Sequence, residues 1–97
     1  MTITEADVRG AVIEALKKIM KILELDEELS GSTVPIGIGM KSRDQVLCIA
    51  VVSDKMNCEI PDDAMPFVTK DNKPRNVDEI VNFFYKLLAS KKGKEDA

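Results

Sequence analysis

The sequence contains no histidine, and this absence excludes more chemistry than any other feature of its composition. Histidine is the commonest general base near neutral pH and the commonest metal ligand in proteins. The two cysteines, Cys48 and Cys58, are ten residues apart, and neither belongs to the close Cys or His pairs that form zinc sites. We therefore expect no metal site in this chain.

Other absences exclude further classes of protein. There is no tryptophan and aromatic residues make up only 4%, so the core must consist of Ile, Leu, Val, Met and Ala. The net charge of −3 argues against a nucleic-acid-binding module, which usually has an excess of basic residues. No apolar run approaches the roughly 20 residues of a membrane span, and no secretion signal is visible. Since both cysteines lie in apolar stretches, we expect buried free thiols and a cytoplasmic protein.

Apolar residues near the amino terminus recur at helical spacing and predict a first helix. They are Val8, Ala11, Val12, Ala15, Leu16, Ile19, Met20 and Leu23. Thr4 followed by Asp7 is a weak capping signal for its start. Glycines and a proline in residues 30–39 exclude a stable helix there. The alternation of Val34, Ile36 and Ile38 leaves open a short strand or a loop held against the core.

The next segment, residues 42–56, begins with Ser42 and Gln45 in the S-x-x-Q spacing of a capping box. The run from Val46 to Val52 is apolar on all sides, which suits a buried strand as well as a buried helix. Its β-branched residues favour a strand, whereas the capping box and the segment length favour a helix. The pattern alone leaves this choice open.

The second half of the chain predicts one short and one long helix. Pro61 and Pro66 limit a helix between them to about one turn, and Asn76 with Glu79 caps a final helix. Its apolar stripe is Val77, Ile80, Val81, Phe84, Leu87 and Leu88. We predict an all-α protein, a small antiparallel four-helix bundle with three long helices and one short. Residues 1–90 form the domain and 91–97 a flexible polar tail.

This helix order resembles the acyl carrier protein family, whose signature is G-x-D-S-L at the start of the second helix. Here that position reads G-M-K-S-R, residues 39–43, and a segment E-I-P-D, residues 59–62, follows at the family's spacing without a gap. Lys41 stands where the family has aspartate and Arg43 where it has leucine. The resemblance covers about residues 4–90 and implies a helix for the run from Val46 to Val52.

The resemblance implies a function as a carrier rather than an enzyme. A phosphopantetheinyl transferase would attach 4′-phosphopantetheine to Ser42, and the thiol of that arm would hold an acyl group as a thioester. Lys41 and Arg43 would bind the phosphate of the arm or an acidic patch on a partner. Acyl ligases, synthases or acyltransferases of fatty-acid, lipid or polyketide-type biosynthesis would be the partners of a specialised monomeric carrier.

Two alternatives remain open beside this interpretation. The cargo could be an aminoacyl or peptidyl group, or the chain could be an unmodified helical interaction domain, which the cations beside Ser42 favour. Leu47 and Val51 are predicted as core rather than partner surface. Further core candidates, which could also line a pocket for an acyl chain, are Met40, Met56, Met65, Phe67 and Phe84.

Overall fold

A computed structural model describes residues 3–61 and 63–96, of which 90–96 are described as backbone only. It contains three α-helices: α1 Glu5–Leu23, α2 Asp44–Met56 and α3 Val77–Asp96. A single turn of 3₁₀-helix, Ile36–Ile38, lies between α1 and α2. No strand occurs in this described part, where Val68 and Pro74 form one isolated antiparallel bridge. The predicted all-α class is therefore confirmed, and Val46 to Val52 is helical.

The prediction of a fourth, short helix between Pro61 and Pro66 is wrong for the residues described. The backbone there forms a turn, in which the amide of Ala64 donates to the carbonyl of Pro61 at 3.1 Å. Proline disfavours the α conformation in the residue before it and offers no N–H of its own. The carbonyls of Met65 and Pro66 instead accept from the side chain of Arg75. Asp62 lies outside the described residues.

Helix α1 begins and ends at local signals. The Thr4 hydroxyl accepts from the amide of Asp7 at 3.1 Å, which confirms the predicted cap. At the other end Glu24 adopts the left-handed conformation, and the amide of Leu25 donates to the carbonyl of Met20 at 2.8 Å. These contacts are those of a Schellman motif, which turns the chain out of the helix.

The core lies where α1 packs against both α2 and α3. The stripe predicted for α1 is buried from Val8 to Met20, and that of α3 is buried except for the half-buried Leu87. Of the further core candidates, Met40, Phe67 and Phe84 are buried and Met56 is half-buried. Met65 is 46% exposed, so its assignment to the core is wrong.

The long connection between α1 and α2 packs on the start of α3. The carbonyls of Gly31 and Thr33 accept from the amides of Asp78 and Val77, at 2.9 and 2.8 Å. These amides belong to the first turn of α3, where helical partners are lacking. The contact fixes the direction from which the chain approaches α2.

The start of α3 carries the predicted reciprocal cap. The Asn76 side chain accepts from the amide of Glu79, and the Glu79 carboxylate accepts from the amide of Asn76, both at 2.9 Å. The backbone of α3 is helical to Asp96, while the side chains of the predicted tail lie outside the described residues. None of the described helices is long and apolar enough to cross a membrane.

Candidate functional site

Ser42 lies in the turn that leads into α2, and its side chain is exposed. The helix begins two residues later, with Arg43 at the N-cap position in the right-handed helical region. The Ser42 hydroxyl has no hydrogen-bond partner among the described residues. The prediction that Ser42 caps α2 through a capping box is therefore wrong, because the cap residue would need an extended backbone and a side-chain bond to the first turn.

The side chains of two neighbouring residues, rather than that of Ser42, form the hydrogen bonds that stabilise this turn. The Asp44 carboxylate accepts from the amide of Lys41 at 2.7 Å. The Gln45 side-chain amide donates to the carbonyl of Ser42 at 3.0 Å. The S-x-x-Q spacing thus has a different meaning from the predicted one: Gln45 binds the backbone of Ser42 and leaves its hydroxyl facing solvent.

Lys41 and Arg43 are both exposed on either side of Ser42, as the sequence predicted for a charged flank. Neither forms an ion pair within the described part of the chain. The amides of Ser42 and Arg43 also donate no hydrogen bond there. Two cations and two unpaired N–H groups at a helix start make the surroundings of the Ser42 hydroxyl electropositive.

Gln45 is a site residue that sequence reasoning did not identify as more than a cap. Its side chain is 7% exposed. Besides donating to Ser42, it accepts from the amide of Phe67 at 2.9 Å. The sequence signal was present, since Gln45 is a polar residue beside a continuous apolar run, but its second partner is 22 residues away.

An open groove of about 590 Å³ lies along α2, beginning one helical turn after Ser42. Its walls are Val46, Ile49, Ala50 and Ser53 from α2, with Glu59, Ile60 and Pro61 from the segment that resembles E-I-P-D. Val46 is 68% exposed. It lies in the first turn of α2, four residues after Ser42.

The sequence pattern did not predict which residue of α2 faces solvent. Val51 is buried, which confirms its assignment to the core, and Leu47 is half-buried against it. Val46, to which the sequence pattern assigned no exposed role, is the most exposed large apolar residue of α2. A run that is apolar on every side does not reveal which residue faces solvent.

The two cysteines of the chain lie in different surroundings. Both are free thiols, as predicted. Cys48 is buried, which confirms its predicted burial, whereas Cys58 is only half-buried and its predicted burial is wrong. Burial raises the pKa of the Cys48 thiol to about 12. Among the described side chains, no group of three or more Cys, Asp or Glu residues is placed to hold a metal ion.

Comparison with protein-family models, curated proteins and solved structures found no significant match to this chain.

Proposed function

We propose that this protein is a specialised acyl carrier that bears 4′-phosphopantetheine on Ser42. The observation that carries the proposal is the Ser42 hydroxyl itself, which is exposed and has no hydrogen-bond partner within the described residues. A hydroxyl used only for capping would be bonded to the first turn of its helix. An unbonded one at the end of a long connection is accessible to a modifying enzyme.

The attachment is a phosphoryl transfer in which the Ser42 oxygen attacks the β-phosphorus of coenzyme A. A phosphodiester bond to Ser42 forms, the pyrophosphate P–O bond breaks, and adenosine 3′,5′-bisphosphate leaves. The hydroxyl proton passes to a base of the transferase, because this chain has no histidine and the nearby Asp44 carboxylate is bonded to the amide of Lys41. The serine is therefore a substrate rather than a catalyst.

The surroundings of Ser42 fit a phosphodiester. The free amides of Ser42 and Arg43 lie at the positive end of α2. Lys41 and Arg43 would add charge-assisted contacts to the phosphate oxygens. Beyond the phosphate, the apolar groove that starts at Val46 offers a surface for the arm or the first carbons of its cargo.

In this role the arm delivers an acyl thioester to ligases, synthases or acyltransferases of a fatty-acid, lipid or polyketide-type pathway. Tethering raises the local concentration of the acyl group at each partner enzyme. The carrier acts as a cytoplasmic monomer. An aminoacyl or peptidyl cargo would require the same attachment and differ only in the enzymes that load it.

Intact-mass measurement after incubation with coenzyme A and a broad-specificity phosphopantetheinyl transferase tests the proposal. We expect the wild type to gain the mass of one phosphopantetheine and Ser42→Ala to gain none. Ser32→Ala, which removes another exposed serine hydroxyl, is the matched control and should be loaded like the wild type. Loading that persists in Ser42→Ala contradicts the proposal.

A second candidate is an unmodified helical interaction domain, favoured by the exposed Lys41 and Arg43 in place of the family's aspartate and leucine. The protein isolated from its own cells distinguishes the two. A bare Ser42 in every molecule supports the interaction domain, and a serine-linked phosphopantetheine supports the carrier.

A further inference from the structure

Gln45 is the one buried polar side chain in the described part of the chain. A primary amide carries its donor and its acceptor on different atoms, so it holds two partners at once. Here Nε2 donates to the carbonyl of Ser42 at 3.0 Å and Oε1 accepts from the amide of Phe67 at 2.9 Å. One side chain thus joins the Ser42 turn to the segment that follows Pro66.

The far side of this segment is held by Arg75. Its Nη1 donates to the carbonyls of Met65 at 2.6 Å and Val68 at 2.8 Å. Its guanidinium also lies over the ring of Phe83 in α3, 4.5 Å from the ring centroid. Residues 65–68 are therefore attached to α3 through Arg75 and to the Ser42 turn through Gln45.

We propose that Gln45 is a positioning residue that couples the Ser42 turn to residues 65–68, and through Arg75 to α3. Its amide sets the orientation in which Ser42 meets a modifying enzyme. The consequence for loading depends on the proposed carrier function, whereas the coupling itself does not.

The bond from the Phe67 amide to Gln45 has no substitute among the described residues, whereas the Ser42 carbonyl has a second donor in the backbone amide of Gln45. Phe67 is fully buried, so its amide loses its partner when the Gln45 oxygen is removed. An unsatisfied buried N–H is costly, and the segment shifts or opens to satisfy it. The Ser42 carbonyl loses its side-chain donor by the same change and keeps only the bond from the backbone amide of Gln45, at 3.1 Å.

Gln45→Met removes both side-chain hydrogen bonds at similar volume. Arg75→Met removes the side-chain bonds at the other end of the connection, where the backbone bond from the Arg75 amide to the Phe67 carbonyl, at 2.8 Å, remains. We expect Gln45→Met to speed hydrogen exchange at the Phe67 amide roughly tenfold and to shift the amide NMR signals of Ser42 and Arg43. We expect Arg75→Met to shift the same two signals, although the Arg75 side chain donates its hydrogen bonds to residues 65–68 and not to that turn. In the double variant the effects should be smaller than the sum of the single ones, because both act through residues 65–68.

Loading kinetics provide the functional readout. With a phosphopantetheinyl transferase and coenzyme A, kcat/KM should fall roughly tenfold in Gln45→Met, if the lost bonds are expressed in the transition state. Val52→Ala is the control, because it destabilises the core without touching either hydrogen bond. It should load like the wild type under conditions where both variants are fully folded.

Additive effects in the double variant, or unmoved Ser42 signals in Arg75→Met, overturn the coupling. If Val52→Ala loses as much kcat/KM as Gln45→Met, the effect of Gln45 on loading is that of any core residue, and its positioning role is contradicted. If the wild type is not loaded at all, the carrier function fails instead, and the exchange and NMR measurements still decide the coupling.

Discussion

At the scale of single residues, burial gives the two cysteines different chemistry. Cys48 is fully buried, and loss of solvation raises its pKa to about 12. Cys58, just beyond the end of α2, is half-buried. The thiolate is the reactive form of cysteine, so a buried thiol with a high pKa is inert. The apolar surroundings of both residues in the sequence do not separate them.

We predict that a thiol reagent such as DTNB modifies only Cys58 in the native protein at mildly alkaline pH. Cys48 should react only after unfolding, because its thiolate is scarce and inaccessible in the folded state. The rate and number of thiols released are followed by absorbance, with Cys58→Ser as the variant that abolishes the fast phase. A fast phase that survives in Cys58→Ser contradicts the prediction.

At the scale of elements, two glycines differ in the space available for the methyl group that a change to alanine would add. Gly10 lies within α1, and a Cβ added there would meet no atom within 4 Å. Gly31 lies where the α1–α2 connection packs on α3. A Cβ there would approach both carboxylate oxygens of Asp78 to 2.5 Å. Asp78 also pairs with Arg9 of α1 at 2.9 Å, so its carboxylate is held between two elements.

We predict opposite effects of the same substitution at these two sites. Gly10→Ala should raise the free energy of unfolding by about 0.5–1 kcal/mol, since alanine loses less backbone entropy in a helix. Gly31→Ala should lower it by up to about 1 kcal/mol, because the exposed Asp78 carboxylate must move away from its contact with Arg9. Urea denaturation of the two variants measures both values, each serving as the control for the other. Stabilisation by Gly31→Ala would show that the connection does not pack closely on α3.

At the scale of the whole molecule, an ion pair joins two of the three helices. The Lys55 ammonium of α2 lies 2.8 Å from the Glu14 carboxylate of α1. The hydrogen bond to Lys55 lowers the pKa of Glu14, and the same bond raises the pKa of Lys55. Both side chains are substantially exposed, so the contribution to stability is modest and is screened by salt.

The contribution of this pair to stability should depend on pH at both ends of the scale. The pKa of Glu14 is lowered from 4.5 in the folded protein. Its contribution to the free energy of unfolding is therefore present above pH 4.5 and is lost as the pH falls through the pKa of the folded state. The pKa of Lys55 is raised from 10.5 in the folded protein. Its contribution to the free energy of unfolding is therefore present below pH 10.5 and is lost as the pH rises through the pKa of the folded state.

Urea midpoints of the wild type and Glu14→Gln measure this dependence. The difference between the two urea midpoints should be largest between the pKa values of Glu14 and Lys55. It should shrink as the solution is acidified below pH 4.5. Glu28→Gln is the control, because Glu28 forms no ion pair among the described residues, and its difference should stay small throughout. A Glu14→Gln difference that is constant with pH contradicts the assigned pairing.

The sequence by itself determined the features that depend on near neighbours. Helices α1 and α3 follow from apolar spacing of three and four residues, and their caps at Thr4 and Asn76 are bonded to residues three positions away. The lack of histidine is a property of composition, so its chemical consequences hold whatever the fold. The predicted free thiols depended only on the apolar character of the surrounding runs.

Only the tertiary structure decided the features whose partners are distant in the chain. The described residues between Pro61 and Pro66 do not form the predicted short helix, and the Arg75 side chain instead satisfies the carbonyls of Met65 and Pro66. Gln45 resembles a local cap in the sequence, but its buried acceptor binds Phe67, 22 residues later. For the same reason the sequence did not indicate that the Ser42 hydroxyl is exposed and lacks a hydrogen-bond partner among the described residues. A buried polar group can bond to a near or a distant partner, and packing decides which one it takes. The local spacing of residues carries no information about that choice.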